Sequence, residues 1–397
     1  MHTQEKQRQP GSVMLVSHVD VNIATFRKPL IQALVARGTA VHVCVPDGPL
    51  RRGIEALGAT VHPYDLARGS LNPATLPGAV RGIRRNVDAV GPDIVHSFTH
   101  QPNIFTRLAV PCGGPVVVNS VTGLGSVFLG TGAKGALLRT LFHTLYRATA
   151  RRCAAMIFQN DDDRNHFASR GLCGPARIAM IRGSGVDLAR FRPGAATPDA
   201  VRAARAALGL APEHVVCTLT ARLLFDKGVR EFLDAADRLA AACPQARFLL
   251  VGEPDPGNPK SLSPDDVARA AARPNVVCAG WRRDMDMVWA MTDVAVLPSY
   301  REGLPVSLQE ALAAGLPVVA ADVPGCRDIA GPGGHCLLVA ARESAPLAEA
   351  LRTLIESSSL RRSMGTAARA KAEASFDATS LAAQHIDLYA TLLEARP

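Results

Sequence analysis

The sequence predicts an α/β protein made of two doubly wound parallel-sheet domains, and three observations lead there. The chain has 397 residues, too many for one ordinary domain and well suited to two of nearly equal size. Short β-branched runs alternate with longer helical patterns from one end to the other, as in sheets covered by helices on both faces. Each run is apolar throughout and bounded by Gly, Pro or a polar residue, as a strand buried on both faces must be.

Each element follows in order. Strands are expected at Val13–Ser17, Val41–Val45, Thr60–Tyr64, Ile94–Phe98, Val116–Ser120, Ala155–Gln159 and Ile178–Ile181. A helix is expected over Phe26–Arg37, closed by Gly38, because Gly tolerates the left-handed backbone of a helix end. Arg182-Gly-Ser-Gly-Val-Asp187 and the polar stretch through Pro198 read as the linker. A second strand series follows at Val215–Thr220, Arg247–Val251, Asn275–Ala279, Val294–Pro298, Pro317–Ala320 and Cys336–Val339. Helices at Val229–Ala242 and Pro305–Ala314 lie among these strands, and a long one closes the chain at Ser380–Glu394. Ligands of such sheets sit beyond the carboxyl ends of the strands, so the chemistry is expected in a cleft between the domains.

Composition narrows the function. Lys and Arg total 44 against 35 Asp and Glu, a formal charge of +9, and only six of the cations are Lys. This fits phosphate-bearing ligands, an anionic membrane surface or nucleic acid. Nucleic acid is disfavoured, since the basic residues are dispersed and aromatics are only 5% of the chain. The nine cysteines are scattered with no Cys-x-x-Cys pair, which argues for a reducing, cytoplasmic setting and against a zinc site. The opening MHTQEKQRQP is polar and leads into no signal-peptide core, and no stretch approaches 18 uninterrupted apolar residues. Any membrane contact is therefore expected to be peripheral.

The most informative segment is Leu297-Pro-Ser-Tyr-Arg-Glu-Gly-Leu-Pro-Val-Ser-Leu-Gln-Glu-Ala-Leu-Ala-Ala-Gly315. Pro305 suits the first helical turn and Gly315 the helix end. The amide hydrogens of that turn, on Gly303, Leu304 and Val306, suit a diphosphate. Glu302 then makes sense as an acceptor of hydrogen bonds from sugar hydroxyls, and Glu310 as an acceptor from vicinal hydroxyls such as those of ribose. The alternative is that both are ordinary solvated acids. A second segment, Ala221-Arg-Leu-Leu-Phe-Asp-Lys-Gly228, leaves the carboxyl end of a strand. Arg222 and Lys227 can both point at one diphosphate and stabilise the charge that develops on its leaving oxygen; the alternative is a surface pair.

Together, Arg222–Lys227, Gly280–Asp284 and Glu302–Glu310 resemble the donor half of retaining glycosyltransferase family 4, whose fold is GT-B: two doubly wound Rossmann-like domains facing across a cleft. The resemblance spans nearly the whole chain. It implies an acceptor-binding N-terminal domain at 1–188, a nucleotide-sugar-binding domain at 189–375, and a final helix at 376–397 that crosses back. It further implies that Glu302 contacts the donor sugar, Glu310 the ribose, and Arg222 and Lys227 the diphosphate, with Arg282 and Arg283 near the nucleobase. His96, at a strand end, is implied to contact the donor sugar, and Ser97 and His100 are further candidates.

The loop Val121-Thr-Gly-Leu-Gly-Ser126 offers close backbone approach at Gly123 and Gly125. It is similar to a loop in bacterial members that extend undecaprenyl-diphosphate-linked glycans, and Phe26-Arg-Lys-Pro-Leu30 resembles the same subgroup. The sequence departs from the family after the first strand, where Ser17-His-Val-Asp-Val-Asn-Ile23 replaces the Gly-Gly pair many members carry.

A helix at Gly135–Arg152 places Leu137, Leu138, Leu141, Phe142 and Leu145 on one side. Lys134, Arg139, His143, Arg147, Arg151 and Arg152 give it positive charge. It suits either core packing with solvated cations or contact with an anionic membrane, and the lipid-linked acceptor implied by the resemblance favours the membrane. Asp161-Asp-Asp163 and Asp284-Met-Asp286 contain Asp-x-Asp, a pattern that can hold a divalent metal, yet both stand where a helix N-cap is expected. With Arg222 and Lys227 supplying the cations, the expectation is a metal-independent transfer of a hexose or N-acetylhexosamine from a nucleoside-diphosphate sugar, UDP first, to a glycan hydroxyl. Two rival readings are a sugar-nucleotide epimerase of the same architecture and a non-catalytic nucleotide-sugar-binding protein.

Overall fold

The computed structural model describes residues 9–66, 76–125 and 132–396. The start of the polar opening segment, Ser126 and the side chain of Lys134 lie outside them. The chain divides into two compact units: everything up to Ser184 together with Ala378–Pro397, and Gly185–Asp377. The division falls inside the Gly183–Asp187 stretch, and the final helix belongs to the first unit.

The first unit holds a seven-stranded sheet in the order β3-β2-β1-β4-β5-β6-β7. Its strands are β1 Ser12–Val16, β2 Ala40–Val45, β3 Ala59–Pro63, β4 Ile94–Phe98, β5 Val116–Val121, β6 Ala155–Phe158 and β7 Arg177–Met180. The second unit holds six, in the order β10-β9-β8-β11-β12-β13: β8 Val215–Thr220, β9 Ala246–Val251, β10 Val276–Gly280, β11 Val294–Leu297, β12 Val318–Ala321 and β13 Cys336–Val339. Every pairing is parallel. Each strand lies within one residue of its expected ends, because an apolar run flanked by helix-forming segments has few other ways to bury both faces. All residues of β4, β5 and β8 are buried, each large aliphatic among them contributing roughly 1.5–3 kcal/mol.

The helices show where local pattern misled. In place of one helix over Phe26–Arg37 there are two, Asp20–Phe26 and Lys28–Ala36, meeting at Arg27. Pro29 supplies no amide hydrogen and restricts Lys28, so a continuous helix cannot run through. The helix expected at Val229–Ala242 spans Val229–Leu239, and the one expected at Pro305–Ala314 spans Val306–Ala313, with Pro305 as its N-cap rather than in its first turn. Gly315 closes it at φ +73°. The closing helix runs Ala378–Glu394 and buries Leu381, Ile386, Leu388, Tyr389 and Leu393 in the core formed by β1, β2 and β4.

The amphipathic segment is a helix over Gly132–Ala148 followed by a 3-10 turn at Ala150–Arg152. Its apolar residues lie on one side of the helix but differ in burial. Phe142 and Tyr146 are buried in the core and Leu145 packs against it, whereas Leu137 and Leu141 are 71% and 43% exposed. Among the described residues no helix is long and apolar enough to cross a membrane, and all nine cysteines are free thiols.

Candidate active site

Two loops of the second unit are tied together at the carboxyl ends of β8 and β11. After β8 the chain passes Arg222 and makes a 3-10 turn, Phe225–Lys227, before the Val229–Leu239 helix. Gly228 links them at φ +74°, and a Cβ there would lie 2.1 Å from the carbonyl oxygen of Pro298. Only glycine lets the loops approach this closely. The Tyr300 amide and the Ser299 hydroxyl both donate to Asp226 O, at 2.9 and 3.0 Å, and the Tyr300 hydroxyl donates to Glu231 Oε1 at 2.7 Å.

This zipper brings Lys227 and Glu302 together: Lys227 Nζ donates to Glu302 Oε1 at 2.6 Å, with both side chains largely shielded from solvent. A third loop supports them. Gly325, at φ +77°, packs against the Glu302–Gly303 backbone so closely that a Cβ would meet Gly303 O at 2.4 Å. The neighbouring Cys326 thiol is held protonated, its pKa pushed up by burial and by the negative charge of Glu302.

Arg222 does not join the pair. Its Nη1 donates to Asp255 Oδ2 at 2.7 Å, and the side chain is 57% exposed. The two cations expected to share one ligand are thus held by different carboxylates, Arg222 by Asp255 and Lys227 by Glu302. A second cluster surrounds Glu310. Its Oε2 accepts from Trp289 Nε1 at 3.0 Å, and burial raises its pKa to about 7, against the Trp289 bond and the Arg190 charge that favour the carboxylate. Arg190 is anchored to Asp286 Oδ1 at 2.8 Å and to the carbonyl of Arg283 at 3.2 Å. Arg282 forks onto Asp284 at 2.8 and 2.5 Å, and Arg283 stacks on the exposed ring of Trp281 at 5.1 Å. Leu304 is buried, while Gly303 and Val306 keep partial access to solvent at the start of the Val306–Ala313 helix.

The Asp-x-Asp segments differ from the N-cap reading. Asn160, not Asp161, caps the Asp161–Ala168 helix, accepting from the Asp163 amide, and Asp161 pairs with Arg164 at 2.9 Å. Asp284 is an N-cap by position, but its carboxylate serves Arg282 and makes no cap bond.

His96 needs correction. It sits in the middle of β4, between Leu15 and Val118 on the neighbouring strands, and is fully buried. Its Nδ1 is 2.6 Å from Tyr389 Oη and its Nε2 is 2.7 Å from Ser120 Oγ, so both ring nitrogens are engaged inside the first unit. Burial drives its pKa well below the ordinary value and keeps it neutral. The covering residue, Tyr389, lies 293 positions away, beyond any local pattern. Ser97 is likewise buried, donating to Asn103 Oδ1 and accepting from Asn119 Nδ2. His100 is a loop anchor: Nε2 lies 3.1 Å from the carbonyl oxygens of both Gly123 and Leu124, and Nδ1 3.0 Å from Tyr146 Oη. Burial lowers its pKa to about 4. It fixes the turn in which Gly123 and Gly125 adopt φ +131° and +63°.

Sequence reasoning missed Trp289, Arg190, Asp255 and Gly325. Of these, only Gly325 carried a local signal, the Pro-Gly turn after β12.

The chain matches known families along both halves. The profile of the Glycosyl transferase 4-like domain covers residues 23–184, and that of Glycosyl transferases group 1 covers 214–357. The N,N'-diacetylbacillosaminyl-diphospho-undecaprenol alpha-1,3-N-acetylgalactosaminyltransferase of Campylobacter jejuni is 30% identical over 375 residues, 94% of this chain and 97% of that protein. The UDP-Gal:alpha-D-GlcNAc-diphosphoundecaprenol alpha-1,3-galactosyltransferase of Escherichia coli is 28% identical over 236 residues, 59% of this chain and 58% of that protein. The fold is similar to that of the Anabaena HepE protein in complex with UDP, with a TM-score of 0.78 at 20% identity, covering 96% of this chain and 100% of that one. These likenesses favour glycosyl transfer over the epimerase and non-catalytic readings, and the chain belongs to family 4 of the retaining glycosyltransferases, with the GT-B fold of that family.

Proposed function

We propose that the chain moves a hexosyl or N-acetylhexosaminyl group from a nucleoside-diphosphate sugar, UDP in the first instance, to a hydroxyl of a lipid-linked glycan with retention. The observation that carries this reading is the Lys227–Glu302 pair at 2.6 Å, held on loops locked to each other through Asp226, Gly228 and Tyr300. Glu302 keeps one oxygen for a donor-sugar hydroxyl while Lys227 holds the other. Lys227 and Arg222 neutralise the diphosphate, with the amides of Gly303, Leu304 and Val306 beside them. Glu310 takes the ribose hydroxyls, and Arg282 and Arg283 flank the base. The bond from C1 to the β-phosphate oxygen breaks, the acceptor oxygen attacks C1 on the same face, and its proton passes to the departing phosphate. Fixed cations stabilise that developing charge more than they stabilise the bound donor.

The same cations support turnover without a divalent metal, and the carboxylates of Asp284 and Asp286 are engaged by Arg282 and Arg190. Full activity in chelator is the expected result. A lipid-diphosphate acceptor is supported by the names of the Campylobacter and Escherichia relatives, and a position on the inner face of the plasma membrane by the exposed Leu137 and Leu141. The test is a panel of nucleotide sugars offered with polyprenyl-diphosphate-linked saccharides. Product with none of them, or equal conversion of donor without acceptor, counts against the reading.

A further inference from the structure

The first unit contains a buried cation with no counter-charge. Arg27, at the junction of the Asp20–Phe26 and Lys28–Ala36 helices, is 4% exposed, and its Nε has no hydrogen-bond partner. Among the described residues no hydrogen bond or ion pair takes up its guanidinium. Its contact is with the face of Phe98, whose ring centroid is 4.1 Å from Cζ. Stacking occupies the flat face of the guanidinium and leaves the fork of N–H groups at its edge free. The ionisable groups that it feels are Tyr389, His96 and His385, each kept neutral by burial. A desolvated cation among neutral groups is costly unless an anion completes the site.

Two further orphaned atoms fall in the same stretch of chain: Ser17 Oγ and Asn22 Oδ1 are buried without partners. The register of β1 with β4 ends at Val16 beside Ser97, so Ser17 and Phe98 are the next residues of the two strands, and the Ser17 amide still donates to Cys44 O at 3.1 Å as the β1–β2 ladder runs out. Side chains alternate along a strand, so Ser17 shares the face of Val13 and Leu15, on which Phe98 and its stacked Arg27 lie. The location is telling. The strand order β3-β2-β1-β4-β5 reverses direction between β1 and β4, and the carboxyl ends flanking such a reversal form the natural binding crevice of a doubly wound sheet.

We propose that Arg27 and Ser17 form an anion subsite that takes a phosphate group, the guanidinium fork gripping two oxygens and the Ser17 hydroxyl donating to a third. The choice of phosphate rests on the substrates proposed above, since both the nucleotide and the lipid-linked acceptor carry a diphosphate. The subsite itself needs no turnover, so it is testable apart from them.

The test is calorimetric titration of the full-length protein with inorganic diphosphate, with and without saturating UDP, on wild type, Arg27→Met, Arg27→Lys and Ser17→Ala. Arg27→Met is expected to weaken diphosphate binding about tenfold or more, Arg27→Lys to restore part of it, and Ser17→Ala to weaken it about threefold. The thermal midpoint separates this from a packing role: without ligand, Arg27→Met is expected to melt no lower than wild type and to lose the shift that diphosphate gives. Diphosphate binding that survives saturating UDP, with KM for a polyprenyl-diphosphate acceptor raised in Arg27→Met, assigns the phosphate to the acceptor. Binding abolished by UDP, with UDP affinity lowered in Arg27→Met, assigns it to the nucleotide. Wild-type diphosphate affinity in folded Arg27→Met overturns the proposal and leaves Arg27 a packing residue on Phe98. Should that variant fail to fold, unchanged affinity in both Arg27→Lys and Ser17→Ala overturns it equally.

Discussion

Lys227 Nζ lies 2.6 Å from Glu302 Oε1, although 75 residues separate them and they leave the ends of different strands. Their charges are largely shielded from water, so each depends on the other. Removing either leaves an uncompensated charge, worth roughly 3–5 kcal/mol in a buried pair and less here because both side chains keep some solvent contact. Lys227→Ala and Glu302→Ala are each expected to abolish measurable turnover while leaving the circular dichroism spectrum of the wild type. In a double-mutant cycle for UDP affinity the two are expected to be non-additive. Near-normal rates in either single variant would remove the pair from the active site.

Glu310 titrates near neutrality, and the sign of its effect is fixed. Its folded pKa, about 7, is above the ordinary carboxyl value of 4.5, so between those pH values the folded state holds more proton than the unfolded. Its contribution to stability is therefore full at acidic pH and declines as pH rises from 4.5 to 7. Glu310→Gln preserves an acceptor for Trp289 and is expected to remove that decline in urea unfolding. The same variant is expected to lower UDP affinity about tenfold if the carboxylate receives ribose hydroxyls. Identical pH profiles for the two proteins would contradict the raised pKa.

The buried histidines act in the opposite direction. His96, His100 and His385 all have pKa values lowered by burial, the last two to about 4. Below pH 6.5 the unfolded chain takes up protons that the folded chain refuses, so stability falls as pH drops from 6.5 toward 4. Three such groups set a slope of up to about 4 kcal/mol per pH unit, against about 1.4 in the other sense from Glu310. The urea midpoint is expected to fall steeply between pH 6.5 and 5, and less steeply in His100→Gln. A flat midpoint across that range excludes the neutral buried state.

Three glycines separate backbone strain from steric exclusion. Gly209 has φ +68° with open space where a Cβ would stand, whereas Gly228 and Gly325 would drive a Cβ to 2.1 and 2.4 Å from carbonyl oxygens of the active-site loops. Gly209→Ala is expected to cost about 1 kcal/mol. Gly228→Ala and Gly325→Ala are expected to cost several times more and to lower activity beyond their effect on stability, because the loop that must yield carries Pro298 or Gly303. Equal thermal shifts in all three would show that loop closeness is unimportant.

Exposed Leu137 and Leu141 make the membrane reading accessible to a surface mutation. Leu137→Asp with Leu141→Asp leaves the core contacts of Phe142, Leu145 and Tyr146 intact. Co-sedimentation with anionic liposomes at low salt is expected for the wild type and is expected to drop at least about tenfold in the double variant. Failure of the wild type to sediment removes membrane contact from the proposal.

How much was legible in the sequence depended on the range of the interaction. Strand positions, the parallel class and the two-unit division follow from the alternation of short apolar runs with helical spacing, a pattern written in consecutive residues. The Glu302–Glu310 segment was legible for the same reason, since Gly303, Pro305 and Gly315 punctuate one helix. The Phe26–Arg37 region was misjudged because helical periodicity outweighed a single proline, and the Gly132–Ala148 helix because five apolar side chains at helical spacing do not reveal which of them meet the core.

What only tertiary structure decided is where long-range partners meet. Nothing near His96 shows that Tyr389 and Ser120 take both its ring nitrogens, so a strand-end histidine read as a sugar ligand proved to be a neutral core residue. Nor do the residues around Arg27 show that it stacks on Phe98 with no acid near it. Local sequence fixes backbone geometry through propensity and steric limits within a few residues. Burial, and with it charge state and hydrogen-bond partnership, is set by whichever segments pack alongside, and those lie tens to hundreds of residues away.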